Sequence, residues 1–215
     1  AKLRPDIECR RPKYKIPENE KYYVSLDECE MDGTTLIKFD VEVDKPYLVF
    51  PKGIEVVGYD AIESEHIKGI IFSEGLKTIE GSMVFWNEEL EYIYLPSTFR
   101  ATDDAIFFGL NADKFKYFDV SEENEHTLTI DGVLYYRDEE EGFTLGEVPS
   151  GWKEFCLPEF VVNISREAFD NAYFLEKITV EEGNSRYFSV DNLLCEKDDE
   201  GNIVLLTVPG GLKGK

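Results

Sequence analysis

The residues best suited to bond-making chemistry in this 215-residue chain are two histidines, four cysteines and an abundance of carboxylates. Neither histidine has a partner constellation: His66 falls in a polar turn and His126 at the start of an inserted segment. No Gly-x-Ser-x-Gly elbow exposes a serine nucleophile, no His-Glu-x-x-His pair offers to hold zinc, and no glycine loop cradles phosphate. Cys9, Cys29, Cys156 and Cys195 form no Cys-x-x-Cys pair of the kind that serves metal or redox work. Carboxylates concentrate in "RDEEEG", residues 137–142, and "KDDEG", residues 197–201. Calcium takes several oxygens from one loop, but neither stretch keeps the alternating ligand spacing of a calcium loop, and both read as solvated turns. With 45 acidic residues, some pair will fall at glycosidase-like separation by chance. The expectation is a non-enzyme, with no catalytic residue, cofactor or metal.

The same carboxylates exclude other classes of ligand. A net charge of -22 repels phosphate backbones and anionic lipid headgroups, so nucleic acid is not an expected partner. No apolar run approaches the roughly 20 residues of a membrane helix, which argues against membrane insertion. The N-terminal "AKLRPDIECRRPKYKIPENE" contains no hydrophobic stretch of signal-peptide type. Among the cysteines, Cys9 and Cys29 share the same non-repetitive head and are the one plausible pair; the other reading is four unpaired thiols used as small apolar residues.

The elements that position side chains recur along the chain. An apolar residue followed by Pro, Ser or Glu appears at Phe50, Phe72, Leu95, Val120, Leu157 and Val180; successive starts from Phe50 lie 22, 23 and 25 residues apart, and 23 separate Leu157 from Val180. Four residues on stands another apolar residue, Ile54, Leu76, Phe99 or Val161, and seven on Val57, Ile79 or Ile164, with Thr102 breaking the series. A small or apolar pair follows: Ala61-Ile62, Met83-Val84, Ile106-Phe107 and Ala168-Phe169. A polar turn then leads to a strand of the form apolar-x-x-apolar-x-apolar. A period of this length predicts a solenoid, in which each unit buries its apolar face only by stacking on its neighbours. A longer copy overlies it: residues 115–151 match 175–211 at a constant offset of 60, including Asn124 with Asn184 and Gly151 with Gly211. Each copy carries an inserted β-hairpin, with strands near 133–136 and 143–148 and near 193–196 and 203–208.

These residues resemble a known family. "LPEFVVNISREAFDNAYFLEKITV" and "DGVLYYRDEEEGFTLGEVPSG" look like the BspA-like class of leucine-rich repeats, over about residues 46–211. The resemblance departs at Ser73, at Thr102 and at the missing Ala-Phe of the second rung. The expected fold is a β-rich solenoid of the α/β leucine-rich repeat class, a right-handed stack of ~23-residue rungs with short parallel strands on one face. Residues 1–45 do not fit the period and are expected to form a β-rich N-terminal cap; residues 46–215 form the repeat domain, with hairpin insertions near 127–151 and 187–211. No capping element follows Gly211, which leaves open a longer array or a last hairpin that serves as the cap. Members of the family are commonly bacterial surface or secreted proteins in adhesion, so the resemblance implies an extracellular or cell-surface location.

Strand side chains alternate between faces. The apolar posts therefore point inward and their neighbours line an open sheet: Tyr47 and Val49, Gly69 and Ile71, Tyr92 and Tyr94, Tyr117 and Asp119, Glu154 and Cys156, Lys177 and Thr179. Strands stack about 4.8 Å apart, so such a row makes a contiguous patch. The candidate partner-binding residues are Tyr47, Ile71, Tyr92, Tyr94, Tyr117, Asp119, Glu154 and Lys177. Tyrosine suits recognition through its broad ring and terminal hydroxyl, but it is also simply a good strand former. Trp86, next to the core pair of its rung, reads as packing. The function expected is a non-catalytic interaction or adhesion module for a protein or glycan ligand. The alternatives are a carbohydrate-binding or carbohydrate-active domain, since tyrosines stack on sugar rings, and a structural spacer of a larger surface protein.

Overall fold

The computed structural model describes residues 18–40, 45–64, 66–81, 83–85, 87–100, 113–138 and 142–212. Cys9, Trp86, Thr102 and the Ile106-Phe107 pair lie outside the described residues. The chain is a β-solenoid of ~23-residue rungs with parallel strands, and no α-helix occurs among the described residues, only the 3-10 turns Glu20–Tyr22 and Leu26–Glu28.

Each rung opens with a strand of a front sheet. Tyr47–Val49, Gly69–Ile71, Tyr92–Leu95 and Tyr117–Val120 pair in parallel without a break in register. The strand runs into a turn that needs a backbone conformation few side chains tolerate: Gly53 and Gly75 stand there at φ 111° and 116°. The turn drops Ile54, Leu76 and Phe99 into the core. A second side follows, where Val56–Val57 pairs in parallel with residues 35–36 and with Thr78–Ile79. On the third, Ile62–Glu63 pairs with residues 39–40 and with Val84–Phe85. Of the six sequence posts, Phe50, Phe72, Leu95, Val120 and Leu157 are buried, each contributing on the order of 2 kcal/mol of apolar burial, while Val180 is half-buried. Phe50 and Phe72 stack with ring centroids 5.3 Å apart, and Phe39 meets Phe50 edge-on at 5.4 Å.

The head differs from expectation. Residues 35–40 do fit the period, because the single strand Thr35–Asp40 is long enough to supply two sides of the coil one rung before Phe50. Its other edge is taken by Glu30–Asp32, antiparallel. The front sheet's own first edge is covered further upstream, where the Val24 amide donates to the Val49 carbonyl at 3.0 Å.

The two insertions share one construction. Thr127–Ile130, Val133–Asp138 and Gly142–Glu147 form one antiparallel meander, and Tyr187–Val190, Leu193–Lys197 and Ile203–Thr207 repeat it with the same register and the same bulge. The strand Gly142–Glu147 then pairs in parallel with Val161–Ile164 of the following rung, as Thr35–Asp40 does with its own. The first insertion also ends the front sheet. The Phe118 amide donates to the Gly132 carbonyl at 2.9 Å, so a hairpin turn sits where a fifth front strand would be. Glu154–Leu157 and Lys177–Val180 form a separate two-stranded parallel sheet, and the apolar interior divides into two cores accordingly.

Gly132 makes that turn possible. Its φ is 92°, and a Cβ there would lie 2.8 Å from the Lys116 carbonyl oxygen. Gly132→Ala is expected to cost about 2 kcal/mol, through left-handed strain and backbone crowding together. A urea midpoint unchanged from the parent would show that the turn relaxes freely.

Candidate functional site

The front sheet presents two columns in register, Tyr47, Gly69, Tyr92 and Tyr117 in one, and Val49, Ile71, Tyr94 and Asp119 in the other. Alternation along each strand sets these residues opposite the buried Leu48, Ile70, Ile93 and Phe118. Tyr47, Val49, Ile71, Tyr94 and Tyr117 are half-buried, each with part of its surface open to solvent. Tyr47 is steadied from the head by Tyr22, whose ring meets it edge-on at 5.2 Å. Tyr117 lies against Gly132, where even a methyl group would come within 2.8 Å of its Cδ1. Burial pushes the Tyr94 hydroxyl above its usual pKa, against a hydrogen bond from Ser121 that lowers it. It therefore stays protonated at neutral pH and keeps both donor and acceptor character.

Four of the eight sequence candidates take other roles. Tyr92 is not on the open face: it is 3% exposed. Its hydroxyl donates to Asp119 Oδ2 on the neighbouring strand at 3.0 Å, and a tyrosine that reaches the next strand lies across the sheet instead of standing off it. Asp119 is occupied by that same bond. Glu154 and Lys177 lie on the separate two-stranded sheet and face each other, Lys177 Nζ at 3.3 Å from Glu154 Oε2. The contiguous row expected across six rungs is thus split between Asp119 and Glu154, because the inserted meander occupies the position between them.

The other sequence features sort simply. Cys29, Cys156 and Cys195 carry free thiols, and Cys9, the candidate partner of Cys29, lies outside the described residues. Asp198 accepts hydrogen bonds from the Asn202 side chain and backbone and from the Glu200 amide, a self-contained turn. Among the described residues no three His, Cys, Asp or Glu side chains gather as a metal cluster. One polar group escaped sequence reasoning altogether: Glu147 is buried and accepts a hydrogen bond from Asn171 Nδ2 at 2.8 Å. Its place in the apolar strand ending "LGEVP" was the available signal.

Residues 43–127 match the model of the BspA type leucine rich repeat region, in six copies. The match ends where the first inserted meander begins. Among solved structures, the chain is similar to the pneumococcal vaccine antigen PcpA, at 21% identity and TM-score 0.41, over 82% of this chain and 44% of that one. It is also similar to a leucine-rich repeat protein from Eubacterium ventriosum, at 18% identity and TM-score 0.45, over 63% of this chain and 41% of that one. A leucine rich cell surface protein from Faecalibacterium prausnitzii is similar at 16% identity and TM-score 0.36, over 87% of this chain and 54% of that one. The chain thus spans only about half the length, or less, of these solved proteins. Among curated proteins, none matches. Over residues 43–127, the chain is thus similar to the BspA type leucine rich repeat region.

Proposed function

We propose that the chain is a non-catalytic interaction module whose front sheet contacts a partner protein outside a bacterial cell. The observation that carries this reading is the group Tyr47, Val49, Ile71, Tyr94 and Tyr117, side chains half open to solvent on one four-stranded parallel sheet. Aromatic and aliphatic groups on a rigid face supply contact area at little conformational cost, and such residues carry most of the energy of protein interfaces. The extracellular location follows from the resemblance to surface and secreted members of the family.

The test is binding to immobilised host matrix proteins and to host cells, comparing the parent with the triple variant Tyr47→Ala, Tyr94→Ala and Tyr117→Ala. Loss of at least tenfold in affinity is expected, on the scale of aromatic hot spots. Glu154→Ala with Lys177→Ala, on the other sheet, is expected to bind as the parent does. Equal binding by the triple variant would reject the front sheet as the contact surface, and selective recognition of sugars on a glycan array would move the assignment to carbohydrate.

A further inference from the structure

Charge is not spread evenly over the front sheet. Where its strands begin, Lys68, Glu91 and Lys116 follow one another along the stack, joined by main-chain hydrogen bonds, and the two signs alternate. Where its strands end, negative charge collects around one ring. Tyr94 lies opposite Asp119 on the next strand, and the charges that act on its hydroxyl are those of Asp119, Glu74 and Glu123. Glu74 is fixed in place, since the Ser97 amide and hydroxyl donate to its carboxylate at 3.0 and 2.8 Å. Asp119 is held in the same way by the Tyr92 hydroxyl at 3.0 Å. The cation that acts on Glu74 is Lys52, which is exposed.

This face stays open however the stack continues. A further rung joins a parallel sheet at its edge and leaves its surface clear: Glu154 and Cys156 remain exposed beside Lys177–Val180, the strand of the rung that follows them. Both edges of the front sheet are taken already, one by Val24 and the other by the turn at Gly132.

A partner seated on Val49, Ile71 and Tyr94 must also cover the carboxylates beside Tyr94. Stripping water from an ionised carboxylate is costly unless an opposite charge takes its place. The hydrogen bonds from Ser97 and Tyr92 reduce that cost without cancelling the charge. A guanidinium meets both demands, because its flat face stacks on a phenol ring while its N–H groups pair with carboxylates. The net charge of -22 draws such a partner in from a distance.

We propose that the Tyr94 end of the front sheet receives an arginine side chain of a partner protein, stacked on the Tyr94 ring and paired with the carboxylates around it. The inference rests on the front-sheet reading and narrows the partner to one with a basic segment. Val49, Ile71 and Tyr94 stand on successive strands, so the arginine belongs about 10 Å from the apolar group that covers Val49.

The test is fluorescence polarisation of the intact protein with a short labelled peptide of alternating leucine and arginine, and with the same peptide in which citrulline, the uncharged isostere, replaces arginine. The arginine peptide is expected to bind saturably, and the citrulline peptide about tenfold more weakly. Glu74→Gln with Glu123→Gln, and separately Tyr94→Ala, are each expected to weaken the arginine peptide about tenfold. Glu182→Gln with Asp199→Asn removes the same charge from exposed turns elsewhere and is expected to bind as the parent does. Equal weakening by this control pair would reduce the effect to overall charge and overturn the proposal, as would equal binding of the two peptides. Tighter binding once Lys2, Arg4, Arg10, Arg11, Lys13 and Lys15 are changed to glutamine would assign the site to the chain's own head and overturn it too. The front-sheet reading fails separately. A host protein lost by the triple tyrosine variant but kept by Glu74→Gln with Glu123→Gln would leave the face as the contact surface and remove arginine from it.

Discussion

Replacing Glu147 by Gln is expected to abolish a fall in stability that the parent shows as pH rises from about 4.5 to about 8. Glu147 ends the strand Gly142–Glu147 with its carboxyl wholly buried, hydrogen-bonded to Asn171 Nδ2 at 2.8 Å. Burial raises its pKa from the ordinary 4.5 to about 8, helped by the charges of Glu167 and Asp170 and opposed by the Asn171 bond. A raised carboxyl pKa means that the folded chain holds a proton that the unfolded chain has released. The contribution of Glu147 to stability is therefore greatest below pH 4.5, declines through the window between the two values and levels off above about 8. The upper limit of the decline is about 5 kcal/mol, since each tenfold change in proton affinity between the folded and unfolded chain is worth about 1.36 kcal/mol. Glutamine keeps the shape and an acceptor oxygen for Asn171 but has no proton to lose. Urea melts at pH 5, 7 and 9 should show the parent losing stability and the variant holding level across this range. Glu28 acts in a separate window: the Ser25 amide and Lys45 hold its pKa low, so its contribution fades only as pH falls below 4.5. Parent and variant with the same slope between pH 5 and 8 would show that Glu147 is ionised in the folded protein.

The second large effect is expected at Asn124. Its Nδ2 donates to the carbonyls of Pro96 at 3.0 Å and Phe99 at 2.8 Å, while its Oδ1 accepts from the amides of His126 at 2.9 Å and Thr127 at 2.8 Å. One buried side chain thus ties the turn of the rung below to the start of the inserted meander. Asn124→Ala leaves four backbone groups without that partner and is expected to cost about 3 kcal/mol, since orphaned buried groups forfeit their solvation as well as the bond. Asn184 makes the same four contacts, to Pro158, Val161, Arg186 and Tyr187. It is only half-buried, so water replaces part of what is lost and Asn184→Ala should cost about half as much. Chemical denaturation of both variants checks the pair, and equal losses below 1 kcal/mol would show that the amide ladder adds little to the stack.

These asparagines were visible in the sequence as a matched pair at offset 60, but their bonding was not. What the chain declares locally is its period. Phe50, Phe72, Leu95, Val120, Leu157 and Val180 recur because every rung must bury the same post against its neighbours; the first five are buried and Val180 is half-buried. The paired hairpins were legible for the same reason, as alternating runs either side of an acidic turn. Residues 35–40 were missed because one strand spans two sides of the coil and so shows neither side's spacing.

The site was legible only in part. Alternation correctly set Tyr47, Ile71, Tyr94 and Tyr117 opposite the core posts, since facing is a property of the strand itself. Whether a side chain so placed is open to solvent depends on the adjoining strand, and Asp119, 27 residues away, draws Tyr92 down. Glu147 is buried where it meets Asn171, 24 residues on, in a hydrogen bond that its own strand does not foretell. Local patterning in the sequence determined which way each side chain points; the tertiary structure alone decided what it meets, because burial and pairing come from the neighbouring rung.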